Sequence, residues 1–421
     1  MEPLIFTTPM QILEDALRRH ALVRYVEEMD ERFASYHLKE LVADNLGPHR
    51  EMQVGGRSVI NFGSDSFLGL DQDPRLREAI ARGLEKWGTH NGASRVFSQV
   101  RAGVEAEQQL AAWLGTEEVL LFASVSLANL GALPGLVGRG DLLAVDEQAH
   151  NSILEAAKIA RANGARVVPF RHRDPGDLEH VLEKNEPYRL AVVAVDGVYS
   201  MTGALAPLVE LNRVALKRRA ILYVDDAHGT GVLGRNGRGT VLDALGSYDN
   251  TFVVGSLSKA FSCFGGFVGC PARFKKLLKI RSNTYIFGGP VPPPYLEAIP
   301  VVCAILASPE YNELHGRLQR NYQRLVRGAS RLGLAILGGQ TPIVSILVGA
   351  EEAAFAAGHF LFERGFFVQS VTFPAVPYHL GGVLRIQVNA NHEPEAIDRL
   401  LEELKALQKH MTLPATGRSA G

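Results

Sequence analysis

The chain has 421 residues, 46% of them hydrophobic, which suits a folded protein with a large core. Its 44 basic and 45 acidic residues give a net charge of -1, a balance that argues against nucleic acid or an acidic membrane surface as a partner. No apolar run approaches the roughly 18 residues of a membrane span, and no secretory signal is recognisable. Cys263, Cys270 and Cys303 fit neither a disulfide framework nor a cysteine-based metal site, so we expect a cytoplasmic protein without a metal.

Four regions are predicted along the chain: a helical N-terminal arm (1–57), a large domain (58–295), a smaller α+β domain (296–410) and a disordered tail (411–421). The large domain alternates short apolar runs with longer helical patterns, which indicates an α/β fold with a mostly parallel central sheet wrapped by helices. Its strand segments read EEVLLFAS, DLLAVDE, ARVVPFRH, RLAVVAVDG, AILYVDDAH, NTFVVGSLSK and GGFVGC. Ligands collect at the carboxyl ends of strands in such sheets, so the polar residues that end these runs form the candidate site.

His150 is the first candidate in chain order, because it follows the strand DLLAV and introduces a helix. An imidazole at a strand end can stack on the face of an aromatic cofactor. A lone histidine is more often a residue that starts a helix, so His150 gains weight only from its companions.

Asp225 and His228 are the second candidates. Asp225 ends the apolar strand of AILYVDDAH, and His228 follows three positions later. A carboxylate there can pair with the pyridine nitrogen of pyridoxal 5′-phosphate (PLP), whose protonated ring is an electron sink. His228 can then donate to the phenolic oxygen of the same cofactor. Taken alone, an ordinary strand-end aspartate and a surface histidine are the simpler interpretation.

The same segment supports a rival hypothesis. Gly229, Gly231 and Gly234 spell GxGxxG directly after a strand, and Asp249 lies near the position of a ribose-binding acid, as in nicotinamide enzymes. However, the chain continues as GRNGRGT and not as the apolar start of a helix, so a phosphate would find no helix N-terminus there. The nicotinamide hypothesis is therefore the weaker one.

Lys259 is the third candidate, because the strand in NTFVVGSLSKAF runs into Ser256, Ser258 and Lys259. A lysine at a strand end can form an imine with an aldehyde when its surroundings favour the neutral amine. The hydroxyl of Ser256 can hold a phosphate. A solvated loop lysine is the plain alternative.

Taken together, these segments resemble the α-oxoamine synthase family of fold-type I PLP enzymes, which includes 8-amino-7-oxononanoate synthase, 2-amino-3-ketobutyrate CoA ligase, 5-aminolevulinate synthase and serine palmitoyltransferase. The resemblance runs from about residue 58 to residue 405 and rests on the order and spacing of several segments. They read NFGSDSFLGL, GASR, the His150 segment, DGVYSMTGALAPL, VDDAHGTGVLG, GSLSKAF, YIFGGPVPP and LRIQVNANH. The GGF that follows the lysine is closer to the serine palmitoyltransferase branch.

The resemblance implies roles around the cofactor ring for four residues. Lys259 matches the lysine that holds PLP as a Schiff base, and Asp225 matches the partner of the pyridine nitrogen. His228 matches the group near the phenolic oxygen, and His150 matches the ring-stacking histidine.

It also implies roles around the ring's substituents and the substrate. Ser256 matches a phosphate-binding hydroxyl, and Ser200 matches a polar position beside the cofactor. Arg385 lies where the family holds the substrate carboxylate, which suits the planar fork of a guanidinium. A surface arginine is the alternative, although Arg385 has apolar flanks on both sides.

The phosphate region departs from the family pattern. The family writes Ser-Gly-aromatic here, whereas this chain has Ser124, Val125 and Ser126, whose helix N-terminus should still present amides and a hydroxyl to the phosphate. In the dimer-related phosphate segment, Gly288 and Gly289 replace Ser-Thr.

The substrate side departs as well. Gly103 stands where relatives often have a histidine, and Asp65 stands where they often have an asparagine. Both positions face the substrate in relatives, so the resemblance predicts an unusual amino acid or acyl donor.

The resemblance implies a decarboxylative condensation of a small α-amino acid with an acyl thioester, carried on CoA or on a carrier protein. It also implies a homodimer with shared active sites. An aminotransferase or an aldolase-like lyase on the same fold is the alternative, since these enzymes share the strand-end aspartate and lysine. A catalytically silent subunit of a heterodimer is disfavoured, because Lys259, Asp225 and His228 are all retained.

Overall fold

The computed structural model describes residues 8–32 and 41–415. It begins with a helical hairpin, α1 (Pro9–Arg18) and α2 (Ala21–Arg32). The Thr8 hydroxyl accepts from the Gln11 backbone and the Gln11 side chain accepts from the Thr8 backbone, a capping box that fixes the start of α1. Of the rest of the predicted helical arm, 1–7 and 33–40 lie outside the described residues. Residues 41–57 contain short strands and turns and no helix, so the prediction of a helical arm was wrong for this part.

A short β-meander and two helices lead into the large domain. They are β1 (Asn45–Leu46), β2 (Glu51–Val54), β3 (Arg57–Asn61), α3 (Pro74–Trp87) and α4 (Arg101–Leu114). The strand β3 also pairs in parallel with a short strand from the C-terminal part of the chain, through Ile60 and Phe366. The division into domains at 57/58 and 295/296 stays a prediction.

The large domain is built around a central sheet of seven strands within the described residues, in the order β4-β10-β9-β8-β7-β5-β6. These strands are β4 (Glu118–Phe122), β5 (Leu142–Asp146), β6 (Arg166–Phe170), β7 (Ala191–Asp196), β8 (Ala220–Asp225), β9 (Thr251–Ser256) and β10 (Gly266–Cys270). The helices between them are α5 (Val125–Leu136), α6 (Asn151–Ala162), α7 (Pro175–Lys184), α8 (Leu208–Lys217) and α9 (Thr240–Leu245). All seven strand segments read from the sequence form strands of this sheet.

The direction of the strands determines where the site lies. Neighbouring strands from β6 to β9 run parallel, while β10 is antiparallel to both β9 and β4. The sheet is covered by helices on both faces, which explains why its strands are apolar runs and do not alternate. The carboxyl ends of β5, β7, β8 and β9 therefore meet at one edge.

The C-terminal part combines helices with a four-stranded antiparallel sheet in the order β11-β12-β15-β14. The elements that follow β10 are α10 (Ala272–Arg281), α11 (Asn283–Phe287), α12 (Pro293–Ala307), α13 (Glu310–Arg331), β11 (Ile336–Gly338), β12 (Ile343–Gly349), α14 (Glu351–Phe362), β13 (Phe366–Phe367), β14 (Gln369–Val371), β15 (Gly382–Gln387) and α15 (Pro394–His410). Of these, α10 and α11 pack against α5 of the large domain. None of the helices described in the structure is long and apolar enough to cross a bilayer.

The chain after α15 differs in part from the expected disordered tail. Met411 and Leu413 pack against the apolar core of the C-terminal sheet, and Ala415 forms a β-bridge with Leu334. Residues 411–415 are therefore held by packing that the polar composition of the tail did not predict. The remainder, 416–421, lies outside the described residues.

Candidate active site

Three aspartates end neighbouring strands at the ligand-binding edge of the central sheet. Asp146 ends β5, Asp196 ends β7 and Asp225 ends β8, and Asp196 is the register partner of Asp225. Burial and the neighbouring Asp225 raise the pKa of Asp196 well above its usual range. Burial and this neighbour therefore both favour the protonated form of Asp196.

Asp225 is buried and is held by neutral donors. Its Oδ2 accepts from Asn129 Nδ2 at 2.6 Å, and its Oδ1 accepts from the backbone N–H of Ala227 at 3.1 Å. The Tyr223 hydroxyl donates to Asn129 Oδ1 at 2.9 Å and so orients the amide. Among the described residues, no lysine, arginine or histidine forms an ion pair with Asp225, so a cationic ring nitrogen could take that place.

Asn129 was not singled out from the sequence as a site residue, although it lies only three residues after Ser126. It lies fully buried in α5, and its Nδ2 also contacts Ser152 Oγ at 2.9 Å. Buried amides are retained where their hydrogen bonds are satisfied. An asparagine inside the apolar helix VSLANLGAL is the signal that would have found it.

His150 is placed beside these strand ends as the N-cap of α6. Its Nδ1 lies 2.7 Å from Ser152 Oγ, and its backbone N–H donates to Asp196 Oδ1 at 3.0 Å. Through Ser152 and Asn129, the histidine joins the same hydrogen-bond network as Asp225. The structure thus fixes the position of the imidazole at the edge where a planar cofactor would lie.

Lys259 lies in a tight turn between the antiparallel strands β9 and β10. The Lys259 backbone carbonyl accepts from the N–H of Ser262, and the Leu257 N–H donates to the Gly265 carbonyl across the turn. Ser262 adopts a positive φ of 53°, an uncommon conformation for a residue other than glycine. The turn holds Lys259, which is half-buried, directly beyond the end of β9.

A corner suited to phosphate lies beside the lysine. Ser256 is fully buried at the end of β9, and its register partner in β10 is Gly266, which is also paired with Phe122 at the end of β4. A Cβ at Gly266 would lie 2.6 Å from the backbone nitrogen of Val125, so only glycine allows the N-terminus of α5 to approach this closely. The corner therefore combines a hydroxyl with the first amides of a helix.

The residues at the start of α5 differ in exposure. Ser124 is the N-cap, and its Oγ accepts from the Leu127 N–H at 3.1 Å. Val125 is buried, whereas Ser126 is exposed. Val125 thus contributes its backbone and apolar packing to the corner, and Ser126 offers a free hydroxyl.

Gly288 and Gly289 lie close to the same helix. A Cβ at Gly288 would lie 2.3 Å from the Thr284 carbonyl oxygen and 3.4 Å from the Leu127 side chain. Gly289 has a φ of 76°, which a serine or threonine rarely adopts. The local backbone thus explains the two glycines, while a contact with cofactor in a partner subunit stays a prediction.

Arg385 connects the C-terminal sheet with the segment that follows β7 of the central sheet. It is almost fully buried in β15, and its Nε donates to the Ser200 carbonyl at 2.7 Å. Its Nη1 donates to Gln369 Oε1 at 2.8 Å, and its Nη2 donates to Asp65 Oδ1 at 3.0 Å. Ser200 therefore orients Arg385 through its backbone carbonyl. Gln369, which the sequence did not single out, is a second residue that orients the guanidinium.

His228 lies on the opposite side of Asp65 from Arg385. Its Nε2 is 3.8 Å from Asp65 Oδ2. Burial and the nearby Lys259 lower the pKa of His228 to about 4, and Asp65 opposes them only in part. His228 is therefore a neutral imidazole at physiological pH and can donate one hydrogen bond.

The glycine motif after β8 has a structural explanation. A Cβ at Gly229 of the motif would lie 2.1 Å from Asp226 Oδ1, and a Cβ at Gly239, five residues after the motif, would lie 1.9 Å from Asp226 Oδ2, so these two glycines enclose a buried carboxyl. Gly234 is followed by a three-residue 3-10 turn and not by an α-helix. The motif therefore lacks the helix N-terminus of a dinucleotide site.

Comparisons with known proteins identify the class and then the family. The family model "Aminotransferase class I and II" matches residues 57–404. The chain is 36% identical over 372 residues to 8-amino-7-oxononanoate synthase of Alkaliphilus oremlandii, which is 87% of this chain and 92% of that protein. It is 39% identical over 353 residues to the enzyme of the same name from Methylococcus capsulatus, which is 83% of this chain and 89% of that protein.

A solved structure agrees with these relatives. Serine palmitoyltransferase from S. paucimobilis, determined with bound PLP and myriocin, superimposes with a TM-score of 0.88 at 28% identity and covers 94% of this chain and 98% of its own. The chain thus belongs to the aminotransferase class I and II proteins, which have the fold-type I architecture of PLP-dependent transferases. Within this class it belongs to the α-oxoamine synthase family.

Proposed function

We propose that this enzyme condenses a small α-amino acid with an acyl thioester in a PLP-dependent reaction. The products are an α-aminoketone, carbon dioxide and the free thiol. At the α-carbon, the new C–C bond to the acyl group takes the place of the bond to the carboxyl group, which leaves as carbon dioxide. The observation that carries the proposal is that Asp225 and Lys259 follow the neighbouring strands β8 and β9 at one edge of the sheet, where Arg385 reaches the Ser200 carbonyl after β7. The α-oxoamine synthase relatives support the same reaction.

The residues fit PLP on observations of this chain. Asp225 is a buried carboxylate without a cationic partner among the described residues, as a protonated ring nitrogen requires. The buried Ser256 and the start of α5 meet across Gly266, as a phosphate requires. Lys259 is the lysine we assign to the imine with the cofactor aldehyde.

Five further assignments complete the cofactor and substrate contacts. Ser124, Val125 and Ser126 supply amides and a hydroxyl to the phosphate, and Gly288 and Gly289 approach the phosphate of the partner subunit. His150 stacks on the ring. Ser200 lies beside the cofactor, and Asp65 lies on the substrate side.

PLP, when bound, supplies an electron sink for the negative charge that develops on the substrate α-carbon. Arg385 holds the substrate carboxylate, and its own fork is fixed by Ser200 and Gln369. Lys259, the lysine that would hold the cofactor, would also supply the amine that removes the α-proton as the general base. His228, a neutral imidazole, donates to the phenolic oxygen of the cofactor.

The homodimer is the second part of the proposal. Phe97 and Phe287 are 87% and 83% exposed in one chain, and their segments are joined because the Ser94 hydroxyl donates to the Ile286 carbonyl. Large exposed aromatic side chains of this kind mark protein–protein contacts. Phe287 directly precedes Gly288, so a partner that covers Phe287 would also lie against this segment.

A cytoplasmic location is the third part. It is supported by Cys263, Cys270 and Cys303, which are all unpaired in the structure. Free, mostly buried thiols suit a reducing compartment.

The first test is the absorption spectrum of the purified protein with added PLP. We expect a visible band of the bound cofactor that Lys259→Ala abolishes and that the exposed control Lys158→Ala retains. Wild-type protein with an amino acid and an acyl thioester should then release thiol. A wild type without the band would overturn PLP dependence, and a band without thiol release would favour an aminotransferase or an aldolase-like lyase.

A further inference from the structure

Asp65 lies between the two ends of the site described above. Its Oδ1 accepts from Arg385 Nη2 at 3.0 Å and from Gln387 Nε2 at 2.6 Å, so this oxygen is saturated. Its Oδ2 has no hydrogen bond within the described part of the chain, and the ring nitrogen of His228 lies 3.8 Å from it. One carboxylate oxygen thus remains available between the arginine and the histidine.

Asp65 carries a negative charge in this position. Burial alone would raise the pKa of Asp65, but Arg385, His228 and Lys259 together hold it well below its usual range. The two other side chains that define its surroundings, Arg385 and Gln387, are themselves buried. The Asp65 side chain itself is 28% exposed, so solvent screens its charge only in part.

This charge alters what Arg385 offers to a substrate. The guanidinium already makes an ion pair with Asp65, and a substrate carboxylate must share it with that aspartate. Like charges held a few ångströms apart in a site of low dielectric repel each other. An asparagine of the same shape would keep the hydrogen-bonding oxygen without the repulsion.

We propose that Asp65 is a specificity-determining residue that selects an α-amino acid with a hydrogen-bond donor on its β-carbon, either a hydroxyl or an amino group. The inference deepens the proposed function and rests on it. The free Oδ2 accepts from that donor, which offsets the repulsion between Asp65 and the substrate carboxylate. Glycine and alanine have no such donor, so for them the repulsion is uncompensated.

The position of Oδ2 supports a contact with the β-substituent. Arg385 donates to Asp65 Oδ1, whereas His228 Nε2 lies 3.8 Å from Oδ2. Lys259 is close enough to lower the pKa of Asp65. A substrate bound by its carboxylate at Arg385 and by its nitrogen near Lys259 extends past Asp65. Besides the carboxylate, its β-substituent is then the part of a small amino acid that can lie near Oδ2.

The test compares alanine, serine and β-aminoalanine, which differ only in the β-substituent. Each is titrated into the PLP-loaded enzyme without an acyl donor, and its dissociation constant is read from the change in the cofactor absorbance and from the shift of the thermal unfolding midpoint. Wild type should bind serine, β-aminoalanine or both more tightly than alanine. Which one it prefers distinguishes a hydroxyl from an amino donor.

Asp65→Asn is the deciding variant. We expect this variant to bind alanine roughly tenfold more tightly than wild type does. The ratio of the dissociation constant of alanine to that of serine or β-aminoalanine should fall by about tenfold or more, because repulsion between two close charges changes a dissociation constant by at least about tenfold. Asp73→Asn is the matched control, because asparagine is an equally good N-cap for α3 and Asp73 makes no contact with the site in the described structure.

Failure of this inference can be distinguished from failure of the proposed function. An unchanged selectivity ratio in Asp65→Asn, or a wild type that prefers alanine, overturns the role of Asp65 while thiol release with an acyl thioester still supports the reaction. If Asp65→Asn does not fold, Gln387→Glu tests the same charge. Gln387→Glu should weaken alanine binding at least as much as it weakens serine binding. A variant that loses more affinity for serine than for alanine would overturn the inference.

Discussion

Asp65, Asp225 and Asp226 are three carboxyl groups near one site whose surroundings give them different properties. Asp225 is held by neutral donors, and Asp65 is held by a buried arginine. Asp226 is fully buried, which raises its pKa to about 7 even though the Thr240 hydroxyl and amide both donate to it. The residue type alone therefore does not define a role here, because the three carboxyls have different partners.

The environment of His228 predicts a dependence of stability on pH. The folded protein takes up a proton on His228 only near pH 4, whereas the unfolded chain does so near 6.5. The stabilisation from neutral His228 is therefore present above pH 6.5 and is lost as the pH falls from 6.5 towards 4. Between pH 7 and pH 5, the free energy of unfolding should fall by about 2 kcal/mol less in His228→Asn than in wild type.

Urea unfolding of the PLP-free protein at the two pH values measures this difference. His20→Asn, on the exposed N-terminal hairpin, is the control and should behave like wild type. Equal pH dependence in wild type and His228→Asn would contradict the assignment of a neutral buried imidazole.

Asn129 is predicted to support both the fold and the cofactor. Asn129→Ala leaves the buried Tyr223 hydroxyl and Asp225 Oδ2 without their partner, which costs about 2–4 kcal/mol of unfolding free energy. The variant should also bind PLP more weakly, because Asp225 is no longer oriented. Thermal unfolding and PLP titration by absorbance check the two effects, and a loss of stability with unchanged PLP affinity would contradict the orienting role.

At the scale of residues, the sequence predicts the groups that follow apolar strands. Asp225 and Lys259 stand directly after buried runs, so their place at the sheet edge follows from the strand pattern. Gln369 and Gln387 are not marked in this way, because their partners Arg385 and Asp65 come from other segments. Only the folded chain brings these side chains together.

At the scale of elements, the approach of α5 to β10 decides the geometry of the phosphate corner. The contact is possible because Gly266 has no side chain. The sequence indicates both elements, but it does not reveal that one glycine separates Ser256 from the start of the helix. The sequence likewise does not reveal that Gly229 of the motif after β8 packs against the buried Asp226 carboxyl, so the motif resembles a dinucleotide-binding loop in the sequence alone.

Gly266→Ala is predicted to weaken PLP binding. The added Cβ would lie 2.6 Å from Val125 N, so the N-terminus of α5 must move away from Ser256. We expect the dissociation constant of PLP to rise by about tenfold or more, equivalent to at least ~1.4 kcal/mol. Gly138→Ala is the control, because a Cβ added there would have nothing within 4 Å and its φ is not positive. Equal PLP affinity in both variants would show that the corner does not hold the phosphate.

At the scale of the whole molecule, the site is assembled from two packed parts of the chain. Arg385 of β15 reaches the Ser200 carbonyl, and nearby Ser345 Oγ donates to the Met201 carbonyl at 2.5 Å. The C-terminal sheet is thereby docked on the segment that follows β7. The sequence predicts the smaller α+β part, while its docking depends on these long-range hydrogen bonds.

The proposed homodimer gives a prediction for the exposed aromatic residues. Phe287→Asp places a charge in the apolar contact we infer, so it should shift the protein from a dimer towards the monomer of 45.8 kDa. Leu216→Asp, at a 57% exposed position on α8, is the control and should leave the mass unchanged. Sedimentation velocity measures both, and a Phe287→Asp dimer as stable as the wild type would place the interface elsewhere.

The stoichiometry of the reaction tests the central claim most directly. PLP-loaded enzyme is incubated with a carboxyl-labelled amino acid and an acyl thioester, and released carbon dioxide and free thiol are counted together. We predict one carbon dioxide for each thiol, with both absent in Lys259→Ala. Release of neither product, or conversion of the amino acid without thiol, would contradict a decarboxylative condensation.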